Sequence, residues 1–171
     1  MKKNELTLLR QKKSRPVRKL EAFPNRHAGR AYSVTLVCPE FTCVCPLTGQ
    51  PDFGTITIAY IPDGWILESK SLKLYLWSFR QEGEFHEHVT NRILDDVVKA
   101  LDPLFCKVTG AFNARGGISI TVEATHEKGL TPQARRAGTR PSPGGTRTHP
   151  PSAPNGQRRP QSRTARGGTA R

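Results

Sequence analysis

Two stretches in the first half of the chain alternate between apolar and polar residues, which is the pattern of a strand with one buried face. They cover residues 31–37 and 55–61 and are rich in β-branched side chains. The sequence Pro62-Asp63-Gly64 is typical of a turn. Residues 65–69 then favour a short extended run. We therefore expect two strands joined by a long loop.

From residue 71 the apolar spacing changes to that of an amphipathic helix, for which Ser71 is the expected N-cap. Four apolar residues follow i, i+3, i+4, i+7 spacing: Leu72, Tyr75, Leu76 and Phe79. Gly83 interrupts this pattern. A second helix is predicted from about residue 84 to residue 101, with an apolar stripe formed by Phe85, Val89, Ile93, Val97 and Leu101. Asp102-Pro103 is expected to end it.

Two more strands are predicted after the helices. One covers residues 105–112, and the other carries Ile118, Ile120 and Val122 after the turn Arg115-Gly-Gly. The order strand, strand, helix, helix, strand, strand predicts an α+β fold with an antiparallel four-stranded sheet and two helices on one face. The edges of such a sheet would be open unless other subunits pair with them.

The net charge of +13 is concentrated in the flanks of this pattern. Residues 1–20 contribute +7 and residues 130–171 contribute +9, whereas residues 21–129 carry ten basic and thirteen acidic side chains. A nucleic-acid-binding domain is expected to carry its positive charge on the folded part. The charge distribution therefore disfavours a specific nucleic-acid partner.

Composition divides the chain into three parts. Residues 1–20 form a basic leader that we expect to be flexible, residues 21–126 form the domain, and residues 127–171 form a tail rich in Arg, Pro and Gly. From residue 131 the tail lacks large apolar side chains, so we expect it to be disordered. No stretch has the apolar length of a signal peptide or a membrane span, which predicts a cytoplasmic protein without a membrane partner.

Cys45 is the first candidate for chemistry. It lies in a segment dense with Pro and Gly between two predicted strands, and Asp52 follows seven residues later. A thiolate with a nearby proton donor is a workable catalytic pair. The alternatives are an inert buried cysteine and a zinc site with Cys38 and Cys43, whose spacing is poor for structural zinc.

Charged residues around the two predicted helices form the second set of candidates. Lys70 and Lys73 project to one side of the first helix, either as a solvated face or as an anion site near the free N–H groups of the helix start. Glu87 is either a first-turn acid or a bidentate partner for a guanine-like base. The sequence has no Gly-rich dinucleotide fingerprint, so a phosphorylated cofactor would need such basic residues.

These segments together resemble the 7-cyano-7-deazaguanine reductase family, the NADPH-dependent nitrile reductases of queuosine biosynthesis. Five motifs stand in the family's order over about 100 residues: Cys38-Pro-Glu-Phe-Thr, Cys45-Pro-Leu-Thr-Gly-Gln-Pro-Asp52-Phe, Glu68-Ser-Lys-Ser-Leu-Lys-Leu-Tyr, Phe85-His-Glu87 and Arg115-Gly-Gly-Ile-Ser. The resemblance implies the tunnelling fold, in which subunits join their sheets into a β-barrel and build active sites between neighbours.

The resemblance also implies residue roles. Cys45 matches the nucleophile that forms a covalent thioimide, and Asp52 matches the acid that protonates the nitrile nitrogen. The positions that match substrate contacts are Leu67, Glu68, Ser69, His86 and Glu87. Those expected to hold the phosphates of NADPH are Lys70, Lys73 and Arg115. No metal is implied.

The expected function is therefore NADPH-dependent reduction of 7-cyano-7-deazaguanine to 7-aminomethyl-7-deazaguanine by a homo-oligomer. Two other classes stay open at this point. One is a nucleic-acid-binding protein, which the acidic domain disfavours. The other is a zinc-dependent cyclohydrolase of the same fold, which would need His and Cys ligands from separate elements and would leave Asp52 without a role.

Overall fold

A four-stranded antiparallel sheet forms the centre of the protein. The structure is a computed structural model, and it describes residues 6–9 and 14–129. The elements in chain order are β1 (Ala22–Pro24), β2 (Val34–Val44), β3 (Pro51–Ile61), β4 (Trp65–Leu67), α1 (Ser69–Trp77), α2 (His86–Leu101), β5 (Phe105–Arg115) and β6 (Ile118–Glu127). The sheet has the order β2-β3-β5-β6, and β1 pairs with β4 separately.

The two helices cover one face of this sheet, so the predicted α+β class is confirmed. Helix α2 packs on β5 and β6, and α1 packs against β2. On β3 every second residue from Asp52 to Tyr60 is buried, in the alternation expected of a half-buried strand. The apolar stripes of both helices meet this face in one core cluster.

Strands β2 and β3 are longer than the sequence predicts. β2 continues through Pro39 because a β-bulge between Cys38 and Phe41 accommodates the residues that do not pair in register with β3. β3 begins at Pro51, a position where the missing N–H of proline is tolerated. The loop therefore shrinks to residues 45–50, and Asp52 lies on a strand, opposite Cys43.

Both predicted helix starts need correction. Helix α1 begins at Ser69, and its N-cap is Glu68 instead of Ser71, because the Glu68 carboxylate reaches the N–H groups of Lys70 and Ser71 at 2.8 and 2.7 Å. Helix α2 begins at His86, and Phe85 is its N-cap residue with 48% of its surface exposed, outside the buried stripe. Helix α2 ends before the Asp102-Pro103 pair, as the sequence predicts, but Asp102 is left-handed with a φ of 48° instead of extended as is usual before proline.

Parts of the basic leader contact the domain. Leu8 is buried, its N–H donates to the Glu21 carboxylate at 3.1 Å, and the N–H of Val17 donates to the carbonyl of Leu74 at 3.2 Å. The flexible leader stays a prediction. Of the tail predicted over residues 127–171, only residues 127–129 are among the described residues, and residues 130–171 lie outside them. Neither described helix is long and apolar enough to cross a bilayer.

Candidate active site

Four segments converge at one end of the sheet. They are the loop of residues 45–50, the first residues of β3, the last residue of β5 and the first turn of α2. The connection between the helices braces this end, because the N–H of Val44 donates to the Glu82 carbonyl and the N–H of Glu84 donates to the Val44 carbonyl. Gly83 allows this close approach, since a Cβ there would lie 3.0 Å from Cα of Pro46.

Asp52 lies at the centre of the convergence, with only 3% of its surface exposed. Its Oδ1 contacts the guanidinium of Arg115, and its Oδ2 lies 3.4 Å from Nε2 of His86. Arg115 also donates to the side-chain oxygen of Gln50. A carboxylate buried to this degree needs such a counter-charge. The predicted catalytic acid and the predicted cofactor residue Arg115 are therefore direct partners in this structure.

The imidazole of His86 is held by a stacked aromatic ring. Its centroid lies 3.9 Å from that of Phe112, with 9° between the planes. Two glycines leave room for the Phe112 ring: a Cβ on Gly110 would lie 2.8 Å from it, and one on Gly54 would lie 3.1 Å from it. Alternation along β5 predicts a buried Phe112, but the ring contact with His86 joins two distant segments and has no signal in the sequence.

Cys45 begins the loop and is partly exposed. The pKa of its thiol is lowered, first by a hydrogen bond from the Thr48 hydroxyl and then by the backbone N–H groups of Leu47 and Thr48, with a further contribution from the charge of Arg115. A thiol with a lowered pKa forms the nucleophilic thiolate more readily. Thr48 and Gln50 belong to this site although the sequence reasoning did not select them.

The other three cysteines have the opposite character. Burial raises the pKa of Cys43 to about 11, with Asp52 adding to the effect, and raises the pKa of Cys106 to about 12. Burial also raises the pKa of Cys38. Among the four thiols, the electrostatic surroundings therefore favour Cys45 alone as the nucleophile.

Part of the segment predicted to contact the substrate is buried and forms hydrogen bonds within the domain. Leu67 is buried, and its N–H donates to the Tyr60 hydroxyl at 3.1 Å. The buried Glu68 carboxylate caps α1, whereas Ser69 and Glu87 are exposed. Of the five predicted substrate residues, His86 is the one that the described contacts join to Asp52.

Basic and aromatic side chains line a groove of about 380 Å³ between α1 and the bulged part of β2. Lys73 and Trp77 contribute from helix α1, Arg80 contributes from the turn that follows it, and Glu40 contributes a negative charge from the strand. Lys70 donates to the Leu9 carbonyl at 3.1 Å. The N–H groups of Lys70 and Ser71 are taken by the carboxylate of Glu68, so an anion here would rely on the lysine side chains.

Metal ligation was the main alternative for the cysteine segment. Among residues 6–9 and 14–129, no group of three or more His, Cys, Asp or Glu side chains is arranged to hold a metal ion. In particular, Cys38, Cys43 and Cys45 form no such group.

Comparisons with known proteins identify the family to which the chain belongs. The model of the family described as "QueF-like protein" matches residues 51–130, a stretch that includes Asp52 and Arg115 and begins after Cys45. A solved structure described as the archaeosine synthase QueF-Like in the apo form is similar, with a TM-score of 0.51 and 25% identity over 59% of this chain and 96% of that chain.

Relatives from three bacteria bear the name NADPH-dependent 7-cyano-7-deazaguanine reductase. The one from Syntrophus aciditrophicus is 66% identical, over 73% of this chain and 89% of its own length. Those from Anaeromyxobacter sp. strain Fw109-5 and Thermomicrobium roseum are 57% and 53% identical and are covered over 93% and 97% of their lengths. The chain belongs to the NADPH-dependent 7-cyano-7-deazaguanine reductase family, as the sequence motifs predict.

Proposed function

We propose that the protein reduces the nitrile 7-cyano-7-deazaguanine to the amine 7-aminomethyl-7-deazaguanine with NADPH, as a step of queuosine biosynthesis. The relatives' names support the substrate and the cofactor. The observation that carries the proposal is the contrast among the thiols: only Cys45 has a lowered pKa, and it lies beside the partner of the buried Asp52.

The first step joins Cys45 to the nitrile carbon. The sulfur forms a bond to that carbon, one π bond of the nitrile becomes a lone pair on nitrogen, and Asp52 delivers a proton to the nitrogen, which gives a thioimide. The Asp52 carboxylate first takes the proton that the Cys45 thiol gives up and then passes it to the nitrogen, so the addition is balanced and Asp52 ends as the carboxylate that Arg115 contacts. A protonated thioimide accepts hydride more readily than a neutral nitrile, which is the advantage of covalent catalysis here.

Bound NADPH would supply the hydride for each of two reductions, at a stoichiometry of two per nitrile. The side chains that fit it are Lys73 in the groove, with Lys70 at the same helix and Arg115 at Asp52. Lysine and arginine suit phosphate groups, and the exposed ring of Trp77 suits a planar base. Because Arg115 already contacts the buried Asp52, it would have to contact both the Asp52 carboxylate and a phosphate of NADPH.

For the substrate, we propose contacts from Leu67, Glu68, Ser69, His86 and Glu87, following the family resemblance. Glu87 is exposed in the first turn of α2, next to the His86 ring that faces Asp52. A carboxylate in that position is free to accept two parallel hydrogen bonds from a guanine-like edge.

We also propose that the chain assembles through its sheet into a barrel, with sites shared between subunits. Strands β2 and β6, with 11 and 10 residues, are the two edges of the four-stranded sheet. In the described part of the chain, the only further β-type pairing at either edge strand is an isolated bridge between Val44 and Gly83. Long open edges are prone to pair with another chain. Val37 on β2 and Phe53 on the adjacent strand β3 are 61% and 52% exposed, as expected of residues that a neighbouring subunit covers.

The test of the reaction follows both the cofactor and the adduct. NADPH oxidation, measured by absorbance with 7-cyano-7-deazaguanine, should reach two per nitrile. Without NADPH, intact mass spectrometry should show the wild-type chain heavier by the full mass of one nitrile. Cys45→Ala should show neither result while still binding the nitrile, and turnover by that variant would reject the proposal.

The cofactor and assembly proposals have separate tests. Lys73→Ala should raise the KM for NADPH about tenfold through loss of a phosphate contact. Lys99 is exposed near the end of α2, and Lys99→Ala should leave this KM unchanged.

For the assembly, light scattering should give a multiple of the 19.0 kDa chain mass. A fully active monomer would reject the shared site. A chain ending at residue 129 should keep its activity if residues 21–126 form the catalytic domain.

A further inference from the structure

The connection between the two helices, residues 82–84, is hydrogen-bonded to the end of β2. The N–H of Val44 donates to the Glu82 carbonyl at 3.1 Å, and the N–H of Glu84 donates to the Val44 carbonyl at 3.2 Å. Cys45 is the next residue along the chain. The 82–84 segment therefore restrains the backbone from which the candidate nucleophile projects.

The same segment reaches the other half of the candidate active site. Helix α2 begins with His86, two residues beyond the segment, and Nε2 of His86 lies 3.4 Å from Oδ2 of Asp52. The segment also packs against the turn that carries the thiol, because a Cβ on Gly83 would lie 3.0 Å from Cα of Pro46. A shift of this segment would therefore change the position of the thiol relative to the carboxylate.

Arg92, in the second turn of α2, joins both ends of the segment. Its Nη1 donates to Oε1 of Glu82 at 3.0 Å and to Oε1 of Glu84 at 2.6 Å. The guanidinium lies over the ring of the buried Phe79, 5.6 Å from its centroid. Arg18 also contacts the Glu82 carboxylate, but Arg92 hydrogen-bonds to both carboxylates. Two carboxylates one residue apart repel each other unless a cation lies between them, so Arg92 stabilises the conformation that pairs with β2.

We infer that Arg92 is a positioning residue for the nucleophile, which acts through the 82–84 segment to hold Cys45 in place beside Asp52. This inference rests on the proposed function, in which the thiol and the carboxylate act together on one nitrile. The Arg92 side chain is 40% exposed, and exposed ion pairs contribute little to stability. The main effect of removing it is therefore expected on the rate of the addition and not on the folding of the domain.

The test measures adduct formation in Arg92→Met, which keeps a long unbranched side chain beside the Phe79 ring but has no donor. The chain is mixed with saturating 7-cyano-7-deazaguanine without NADPH, and its intact mass is followed with time. We expect the rate constant for adduct formation to fall about tenfold, since small displacements of reacting groups are costly. A merely structural role would lower the fraction of chains that react and leave the rate constant of the reacting chains unchanged.

Two further variants serve as rescue and control. The ammonium of Arg92→Lys has three donors and can contact both carboxylates, so its rate constant should stay within about threefold of wild type. Arg26 is exposed in the turn that follows β1, and Arg26→Met should have the wild-type rate constant. If Arg92→Met does not fold, Gly83→Ala replaces it under the same criteria, because its Cβ would displace Pro46 by a few tenths of an ångström.

Hydrogen exchange gives a readout that does not need the nitrile. In Arg92→Met, the amides of Val44 and Glu84 should exchange about tenfold faster than in wild type, while those of β5 stay unchanged, as measured on short overlapping peptides. A wild-type rate constant for adduct formation in Arg92→Met would overturn the inference, and so would unchanged exchange at both amides. If wild type forms no adduct, the proposed reaction fails, and exchange at these two amides then decides separately whether Arg92 holds the segment.

Discussion

Cys43 and Cys45 are separated by one residue, and their surroundings are opposite. Cys43 lies on β2 with none of its surface exposed, and burial together with Asp52 raises its thiol pKa to about 11. Cys45 lies at the start of a turn, partly exposed, with three donors and the charge of Arg115 that lower its pKa. Desolvation disfavours a thiolate, and donors favour it.

The difference arises from where the strand ends. Residues i and i+2 of a strand point to the same face, so a β2 that continued by one more residue would have buried Cys45 beside Cys43. Instead β2 ends at Val44, and the turn of residues 45–50 changes the direction of the chain. The end of one strand therefore separates a structural thiol from a reactive one.

Selective alkylation gives the largest expected effect. In the native protein at pH 7.5, iodoacetamide should modify Cys45 more than about 10³-fold faster than Cys43, because a buried thiol reacts only when the fold opens. Time-resolved peptide mass spectrometry measures both rates in one sample. In denaturant the two rates should converge. Equal rates in the native protein would remove the distinction between the two thiols.

Asp52→Asn tests the carboxylate that lies next to both cysteines. The amide keeps the shape of the side chain but cannot deliver the proton, so kcat for NADPH oxidation should fall about 10²- to 10⁴-fold. Asp95→Asn, exposed on α2, is the matched control and should retain wild-type kcat. A loss of less than about tenfold in Asp52→Asn would argue against Asp52 as the proton donor.

Gly110→Ala disturbs the ring that supports His86. The new Cβ would lie 2.6 Å from the Thr90 hydroxyl and 2.8 Å from the Phe112 ring, and overpacking of this kind costs about 1–3 kcal/mol in unfolding free energy. We also expect a KM for the nitrile several-fold higher, since His86 would shift. Urea denaturation and steady-state kinetics measure the two effects.

The control for that substitution is Gly64→Ala, where a Cβ meets no atom within 4 Å and φ is not positive. Its free energy of unfolding should stay within about 0.5 kcal/mol of wild type. If Gly110→Ala were equally neutral, the close packing around Phe112 would not constrain His86.

The smallest effect is the pH dependence of stability that Cys43 contributes. Its pKa is raised in the folded state, so its contribution is fully present below the unfolded pKa near 9.0 and is lost as pH rises towards about 11. The free energy of unfolding of wild type should therefore approach that of Cys43→Ala by about 1.4 kcal/mol per pH unit in this window. Urea denaturation at several pH values measures the difference, and parallel curves would contradict the burial of an un-ionised thiol.

Local pattern was enough to predict the helices and the central strands. The apolar spacing of Leu72, Tyr75 and Leu76 and the stripe from Val89 to Leu101 correspond to buried faces, because helical period alone places such residues together. The element ends were less accurate. The bulge at Cys38 and the cap at Glu68 depend on which backbone N–H and C=O groups form hydrogen bonds. Those hydrogen bonds involve adjacent strands and nearby side chains, which a local pattern does not identify.

The sequence by itself determined the α+β order and the family, and it predicted the pair Cys45 and Asp52, because motif spacing and periodicity are properties of the chain. Only the tertiary structure decided that Arg115 and His86 meet Asp52, that Phe112 supports His86, and that Thr48 and Leu47 direct donors at the Cys45 sulfur. Thiol pKa values and ion pairs depend on distance and burial in space. A pattern along the chain does not contain those quantities until the strand register and the turn bring the residues together.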